Sequence, residues 1–306
     1  MTNPVPIALA QLNAHLGNID FNISRLTEVR SKVAENGAEI VVTPEMYLSG
    51  YPCDDLVLRD DFMNDIAAGI DQLAGLTADG GPAIAVGAPT KDSGSIYNSV
   101  FVLDDGKQIA RFDKVNLPNY GVFDDKRNFT PGQMPGPIML RGLKIGFPIC
   151  EDIWEPDVAE CLEESGADLI IAMNASPFDS TKPERRLQNA IARGVETGLP
   201  VIYVNMIGGQ DELVYDGGSF AINTGGKLAC CSPSFSESVL VVTAQKSMGV
   251  LTLTGQLSPP DSDLTALYRG LCLGLRDYVQ KNGFLGVVLG LSGGIDSALV
   301  ATIVAR

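Results

Sequence analysis

The sequence predicts an α/β protein built as two sheets flanked by helices, and three observations predict it. Short β-branched runs alternate with segments whose apolar residues recur at helical spacing. Hairpin turns interrupt that alternation, so some neighbouring strands must be antiparallel. Hydrophobic residues make up 45% of the 306 positions and charged residues 19%, the balance of a packed globular chain.

The elements follow in order. Pro4 to Gln11 reads as a strand, with Val5, Ile7 and Leu9 on alternate positions. Asp20 fits an N-cap ahead of Ile23, Leu26, Val29 and Val33 at helical spacing, and Gly37 fits the stop. Glu39–Thr43, Ala83–Gly87 and Tyr97–Leu103 are further strands, and Asp104-Asp105-Gly106 is a hairpin turn into Gln108–Asp113. Leu143–Ile149 is a strand that ends at Cys150, Val158–Ser165 a short helix and Leu169–Met173 a buried strand. Leu187, Ala190, Ile191, Gly194 and Val195 mark one face of a helix over Glu184–Thr197, followed by a strand over Pro200–Met206. Ser219–Asn223 and Lys227–Cys231 form a hairpin across Thr224-Gly225-Gly226. Composition shifts near Lys246, and Leu257-Ser258-Pro259-Pro260-Asp261 reads as a linker. A helix with Leu264, Leu267, Tyr268, Leu271 and Leu275 on one stripe comes next, then a strand over Gly286–Leu289 and a glycine-rich turn. The expected division is 1–245, a linker at 246–262, and 263–306 as the start of a second domain. The chain stops nine residues past the turn, so that second domain is expected to be incomplete.

Charge and residue counts exclude whole classes of function. A net charge of −15 argues against a broad nucleic-acid or anionic-lipid surface. No apolar run reaches the roughly 18 residues of a membrane helix, and the first ten residues lack a secretory pattern, so a cytoplasmic protein is expected. Six cysteines without CxxC spacing do not make a disulfide scaffold. His15 is the one histidine, so any histidine-based triad or metal site would have to run through it. No metal is expected for the first domain, and proton transfer falls to carboxylates and lysine.

Three strand ends carry such chemistry: Thr43-Pro44-Glu45, Asp113-Lys114-Val115-Asn116 and Ile149-Cys150-Glu151-Asp152. Taken singly, each has an ordinary reading, as a solvated acid, a surface lysine and a buried thiol. Together they form a working set, because loops at strand ends commonly carry reacting groups. Glu45 would take the thiol proton if burial raised its basicity, and Lys114 with a backbone N–H would stabilise the oxyanion formed on an amide.

The segments TPEMYLSGYP at 43–52, DKVNLPNYGVFDDKRNFTPG at 113–132 and FPICEDIW at 147–154 resemble the nitrilase superfamily of carbon–nitrogen hydrolases over roughly residues 4–245. The resemblance implies a four-layer αββα sandwich, with Cys150 forming a thioester, Glu45 the general base and Lys114 the oxyanion stabiliser. It places a further catalytic carboxylate on Asp125, where many relatives carry a glutamate.

Gly290-Leu291-Ser292-Gly293-Gly294-Ile295-Asp296-Ser297 has the strand, glycine turn and helix start that aim backbone N–H groups at a phosphate. It is not a Walker A loop, since no Gly-Lys-Ser/Thr follows. SGGIDS resembles the pyrophosphate-binding loop of the ATP pyrophosphatases, and with the hydrolase ahead of it the whole chain resembles the glutamine-dependent NAD synthetases. That family implies release of ammonia from glutamine in the first domain and amidation of nicotinic acid adenine dinucleotide in the second. ATP, with Mg in the full-length enzyme, would bind residues 290–297, and the glutaminase step would need no cofactor. The family further implies that Tyr120 shapes the glutamine pocket while Ser176 and Lys182 hold the ends of the substrate, with Arg185 or Arg186 as alternatives to Lys182. Tyr51 and Phe123 either line that pocket or pack beside it. A homo-oligomer is implied, and the fragment alone is not expected to make NAD. Two other readings stay open: a stand-alone amidase or carbamoylase, and a catalytically silent scaffold that binds a nucleotide through Gly290–Ser297.

Overall fold

The computed structural model describes residues 3–305. The chain runs through β1 (Val5–Gln11), α1 (Ile19–Glu35), β2 (Ile40–Val42), α2 (Asp60–Leu76), β3 (Ala83–Asp92), β4 (Ser95–Asp104) and β5 (Lys107–Asp113). It continues with α3 (Asp125–Asn128), β6 (Ile138–Leu140), β7 (Leu143–Gly146), α4 (Pro156–Glu164), β8 (Leu169–Asn174), α5 (Lys182–Thr197) and β9 (Val201–Asn205). The rest comprises β10 (Ile207–Gln210), β11 (Leu213–Asp216), β12 (Phe220–Ile222), β13 (Leu228–Cys231), β14 (Ser238–Ser247), β15 (Val250–Thr254), α6 (Asp263–Lys281) and α7 (Ile295–Val304).

Two sheets stack face to face. The first has the order β15-β14-β1-β2-β3-β4-β5 and the second β13-β12-β9-β8-β7-β6, while β10 and β11 form a separate hairpin. Parallel pairs occupy the middle of each sheet, β1–β2–β3 and β7–β8–β9, with antiparallel pairs outside them. Strand alternation then splits the core into three apolar layers. Ile7, Leu9, Ile40 and Val42 face Ile145, Leu169, Ile171 and Ile202 between the sheets. On the other face of the first sheet, Ala8, Val41 and Ile84 pack with Leu26, Ile66 and Leu73 of α1 and α2. On the outer face of the second sheet, Ile170, Ala172 and Val201 pack with Val158, Leu162 and Ala190 of α4 and α5. Helix, sheet, sheet, helix is the expected four-layer αββα sandwich.

Several local expectations need correction. The N-cap of α1 is Asn18, whose side chain accepts from Phe21 N; Asp20 lies in the first turn, where an acid suits the positive helix end. The stretch expected as a linker, 246–262, is strand in part. Lys246 and Ser247 finish β14, and β15 pairs with it as a sheet edge, burying Leu251 and Leu253. The apolar stripe on α6 is largely outward, with Leu264 81% and Leu267 53% exposed. The face bearing Gly270, Leu273 and Asp277 docks instead, against the β10–β11 hairpin. No strand forms over Gly286–Leu289, where Val288 is fully exposed. A strand exists only as part of a ladder, and among the described residues no neighbour offers one here.

Candidate active site

Glu45 lies just past β2, and the fold closes tightly around it. Thr43 Oγ1 accepts from Gly87 N, and Leu48 N donates to Gly87 O, so the 43–48 turn rests against the backbone of β3. A Cβ at Gly87 would fall 2.6 Å from Pro44 O and closer still to Met46 N, which is why the position is glycine. Lys114 directly follows β5, and its backbone N–H donates to Asn98 O.

The three charged side chains meet in the interior. Lys114 Nζ donates to Glu45 Oε1 at 2.8 Å and to Asp125 Oδ2 at 2.7 Å, with the lysine and glutamate both 1% exposed. Asn98 Nδ2 also donates to Glu45 Oε1, and Ala175 N donates to Oε2, each at 2.8 Å. Tyr51 OH donates to Asp125 Oδ1 at 3.1 Å. Burial alone would lower the Lys114 pKa, but the Glu45 and Asp125 charges outweigh it and hold the ammonium well above the ordinary lysine value.

Cys150 sits beside this cluster, near enough for the charges of Glu45 and Lys114 to act on its thiol. Burial raises its pKa well above the usual thiol value, Glu45 adds to that, and Lys114 opposes it, so the resting group is a thiol. Its φ of +45° lies in the left-handed region, an unusual setting for a side-chain-bearing residue. The turn that holds it is built by Asp152. Asp152 Oδ2 accepts from Ile149 N at 3.0 Å, and Oδ1 accepts from Val115 N and Asn116 N at 3.1 and 2.7 Å. One carboxylate therefore ties the cysteine turn to the segment that follows Lys114.

Around the thiol stand the other expected residues. Tyr120 is half exposed and donates its hydroxyl to Glu151, the neighbour of Cys150. The Lys182 ammonium lies over the rings of Trp154 and Phe123, at 5.0 and 5.4 Å, near enough to Cys150 to favour its thiolate when that forms. Burial lowers its pKa. Ser176 is buried and accepts from Arg186 Nε at 3.1 Å. Of the alternatives to Lys182, Arg186 is committed to a buried pair with Asp216, and Arg185 stacks on Trp154 at 5.2 Å. Tyr51 is a hydrogen-bonding wall residue, and Phe123 faces Lys182. Among the described residues no group of three or more His, Cys, Asp or Glu side chains could hold a metal. His15 lies elsewhere, stacked on Phe21.

The glycine turn stands apart. Residues 290–294 are exposed, and α7 starts at Ile295 with no side-chain cap on its first N–H groups. Ser292 Oγ and Ser297 Oγ lie 3.0 Å apart across the turn. Uncapped N–H groups with two hydroxyls beside them suit an anion.

Sequence reasoning missed Asn98, Asp152 and the Ala175 N–H. Asn98 did leave a signal, as an amide next to the apolar run 100–103 of a central strand, where an unpaired polar group would be costly. Ala175 left none, because its role is carried by the backbone.

Comparison with known proteins agrees with this geometry. The carbon-nitrogen hydrolase family matches residues 6–251 and the NAD synthase family residues 267–306. A glutamine-dependent NAD(+) synthetase of Rhodobacter capsulatus is 42% identical over all of this chain and 55% of its own length. One from Acinetobacter baylyi is 37% identical over 98% of this chain and 55% of the relative. The chain thus spans about half the length of these curated relatives. The structure of glutamine-dependent NAD+ synthetase from Acinetobacter baumannii superposes with a TM-score of 0.93 at 36% identity, covering 99% of this chain and 57% of that one. An amidase from Nesterenkonia sp. superposes at 0.70 with 26% identity, covering 78% and 89%. With the buried site seated inside the matched region, the chain belongs to the carbon–nitrogen hydrolase family.

Proposed function

We propose that this chain is the glutamine-hydrolysing part of a glutamine-dependent NAD synthetase. Glu45 takes the Cys150 proton, and the thiolate attacks the glutamine carboxamide carbon. The carbonyl electron pair moves onto oxygen, where the Lys114 ammonium and a backbone N–H hold the charge. Glu45 returns the proton to the leaving nitrogen, so ammonia departs and a Cys150 thioester remains. Water, with Glu45 again as base, opens the thioester to glutamate. Asp125 keeps Lys114 charged and aimed. Tyr120 shapes the glutamine pocket, and Ser176 and Lys182 hold the amino acid ends of the substrate.

The observation that carries this reading is the buried Glu45–Lys114–Asp125 cluster beside a thiol in a strained turn, assembled without histidine. The same reading gives residues 290–297 to the phosphates of ATP, with Mg, and nicotinic acid adenine dinucleotide as the ammonia acceptor of the whole enzyme. It also makes that enzyme a cytoplasmic homo-oligomer. The N-terminal fold supports an amidase reading as well, because the Nesterenkonia amidase shares it.

Cys150→Ala tests the hydrolase. Glutamine turnover should fall by about 10⁴-fold or more, with an unchanged melting temperature, and an electrophilic glutamine analogue should add one adduct to the unsubstituted protein, at Cys150, and none to the variant. Full turnover by the variant would remove the mechanism. Faster hydrolysis of short aliphatic amides than of glutamine would favour the stand-alone amidase.

A further inference from the structure

The turn from Asn174 to Phe178 delivers the Ala175 N–H to Glu45 Oε2, and its own backbone is held at every step. Asn174 O accepts from Met206 N, Ser176 N donates to Asn205 Oδ1, and Phe178 N donates to Val214 O. The two carbonyls at the centre share one side chain, and Asn205 Nδ2 adds a longer bond of 3.3 Å to Ser176 O. Arg186 Nη2 donates to Ser176 O at 2.7 Å and to Pro177 O at 2.9 Å, while Nε reaches Ser176 Oγ at 3.1 Å. The remaining face of the guanidinium is fixed by Asp216, whose two oxygens accept from Nη1 at 2.7 and 2.9 Å. Arg186 and Asp216 are both 3% exposed or less in the interior beneath the turn.

This arrangement is costly to bury, and the mechanism above does not use it. Glu45 Oε1 already accepts from two donors, Lys114 and Asn98, whereas Oε2 has the single Ala175 N–H. Oε2 is therefore the oxygen with lone-pair capacity to spare, and the Asn174–Ala175 peptide, whose carbonyl accepts from Met206 N, sets where that oxygen points. A planar fork bonded to two successive carbonyls fixes the two peptide planes that follow Ser176, and so the path of the turn that carries the Ala175 N–H, as a point charge could not.

We propose that Arg186, fixed by Asp216, is a positioning residue for the general base, acting on Glu45 Oε2 through the Asn174–Phe178 turn. The proposal rests on the hydrolase reading of Cys150 and Glu45.

Arg186→Lys tests it, because lysine keeps the charge opposite Asp216 but cannot hold both carbonyls and the hydroxyl. Two quantities are measured: glutamine kinetics, and the rate at which iodoacetamide alkylates Cys150. The second needs the base but no glutamine pocket. Expected are a fall in kcat of about 10²-fold and alkylation slowed about tenfold at neutral pH, with the melting temperature near that of the unsubstituted protein. If Arg186 merely held Ser176 against substrate, or merely stabilised the fold, alkylation would keep its rate and only KM or melting would move; that outcome overturns the proposal. Should Arg186→Lys fail to fold, the double variant Arg186→Met, Asp216→Leu removes both buried charges together and is read the same way. An unsubstituted protein whose Cys150 resists alkylation would overturn the hydrolase reading, and this proposal with it.

Discussion

The centre around Lys114 and the turn around Gly293 both follow segments that the sequence presents as strands, yet they end in opposite states. Lys114 is 1% exposed, with both its ion-pair partners inside the protein, whereas Val288 and Leu285, just ahead of the glycine turn, are fully exposed. The difference lies in their neighbours. At Lys114, two sheets and the turns after β2, β5 and β8 close over the charges, so each is paired and made rigid. At Gly293 the backbone has a helix on one side and no ladder on the other, so the local pattern shapes a turn without burying it. A motif fixes local conformation, but burial and the electrostatics that come with it are supplied by surrounding elements.

Substitutions at buried and at exposed positions should expose that contrast. The largest effect on stability is expected for Lys114→Met, which leaves Glu45 and Asp125 buried without their cation and should cost about 3–5 kcal/mol in denaturant unfolding. Lys91→Met breaks the exposed pair with Asp60 and should change stability little. Equal losses in the two would undo the contrast. Next comes Gly87→Ala, where the added Cβ meets the backbone of Pro44 and Met46 and should cost about 3 kcal/mol along with much of the activity. Gly286→Ala meets nothing within 4 Å and should be close to neutral.

The junction between the regions gives a smaller effect. Asp277 Oδ2 accepts from Asn13 Nδ2 and Gly209 N, and Lys281 Nζ donates to Ala14 O and Gly209 O, so the end of α6 is latched to β10 and to the segment after β1. Asp277→Ala should cost about 1–3 kcal/mol of local stability. Hydrogen exchange should then quicken in α6 and β10, with protection around Glu45 unchanged.

The subtlest test concerns Asp152. Burial pushes its pKa from 3.8 up to about 7, against its three backbone donors. Its folded pKa is the higher one, so its contribution to stability is complete below about pH 3.8 and is lost as pH rises through about 7. Asp152→Asn cannot ionise and should flatten that slope; an identical pH dependence in the variant would show that Asp152 ionises as freely in the folded protein as in the unfolded chain.

Much of this was legible in the residues. The strands β1 to β5, β7 to β9, β12 and β13, the hairpin at Asp104–Gly106 and the three reactive strand ends follow from alternation, turn chemistry and residue type, all of them local properties. The helices α2 and α3 and the strands β6, β10, β11, β14 and β15 were not read, and the apolar stripe on α6 is not the face that docks. Helical spacing identifies an amphipathic surface but cannot say which neighbour meets it. Here a carboxylate latch and Gly274, which lies against Val214 and Gly209, let the more polar face approach the hairpin.

The sequence by itself determined which groups could react and on which kind of element each would lie, because residue type and period are properties of short segments. Tertiary structure alone decided that Lys114 stands between two carboxylates, that a backbone N–H at Ala175 steers Glu45, and that Asp152 secures the cysteine turn. Apart from the local bond between Asp152 and Ile149, those contacts join positions 11 to 130 residues apart, and the tertiary packing brings them within hydrogen-bond reach.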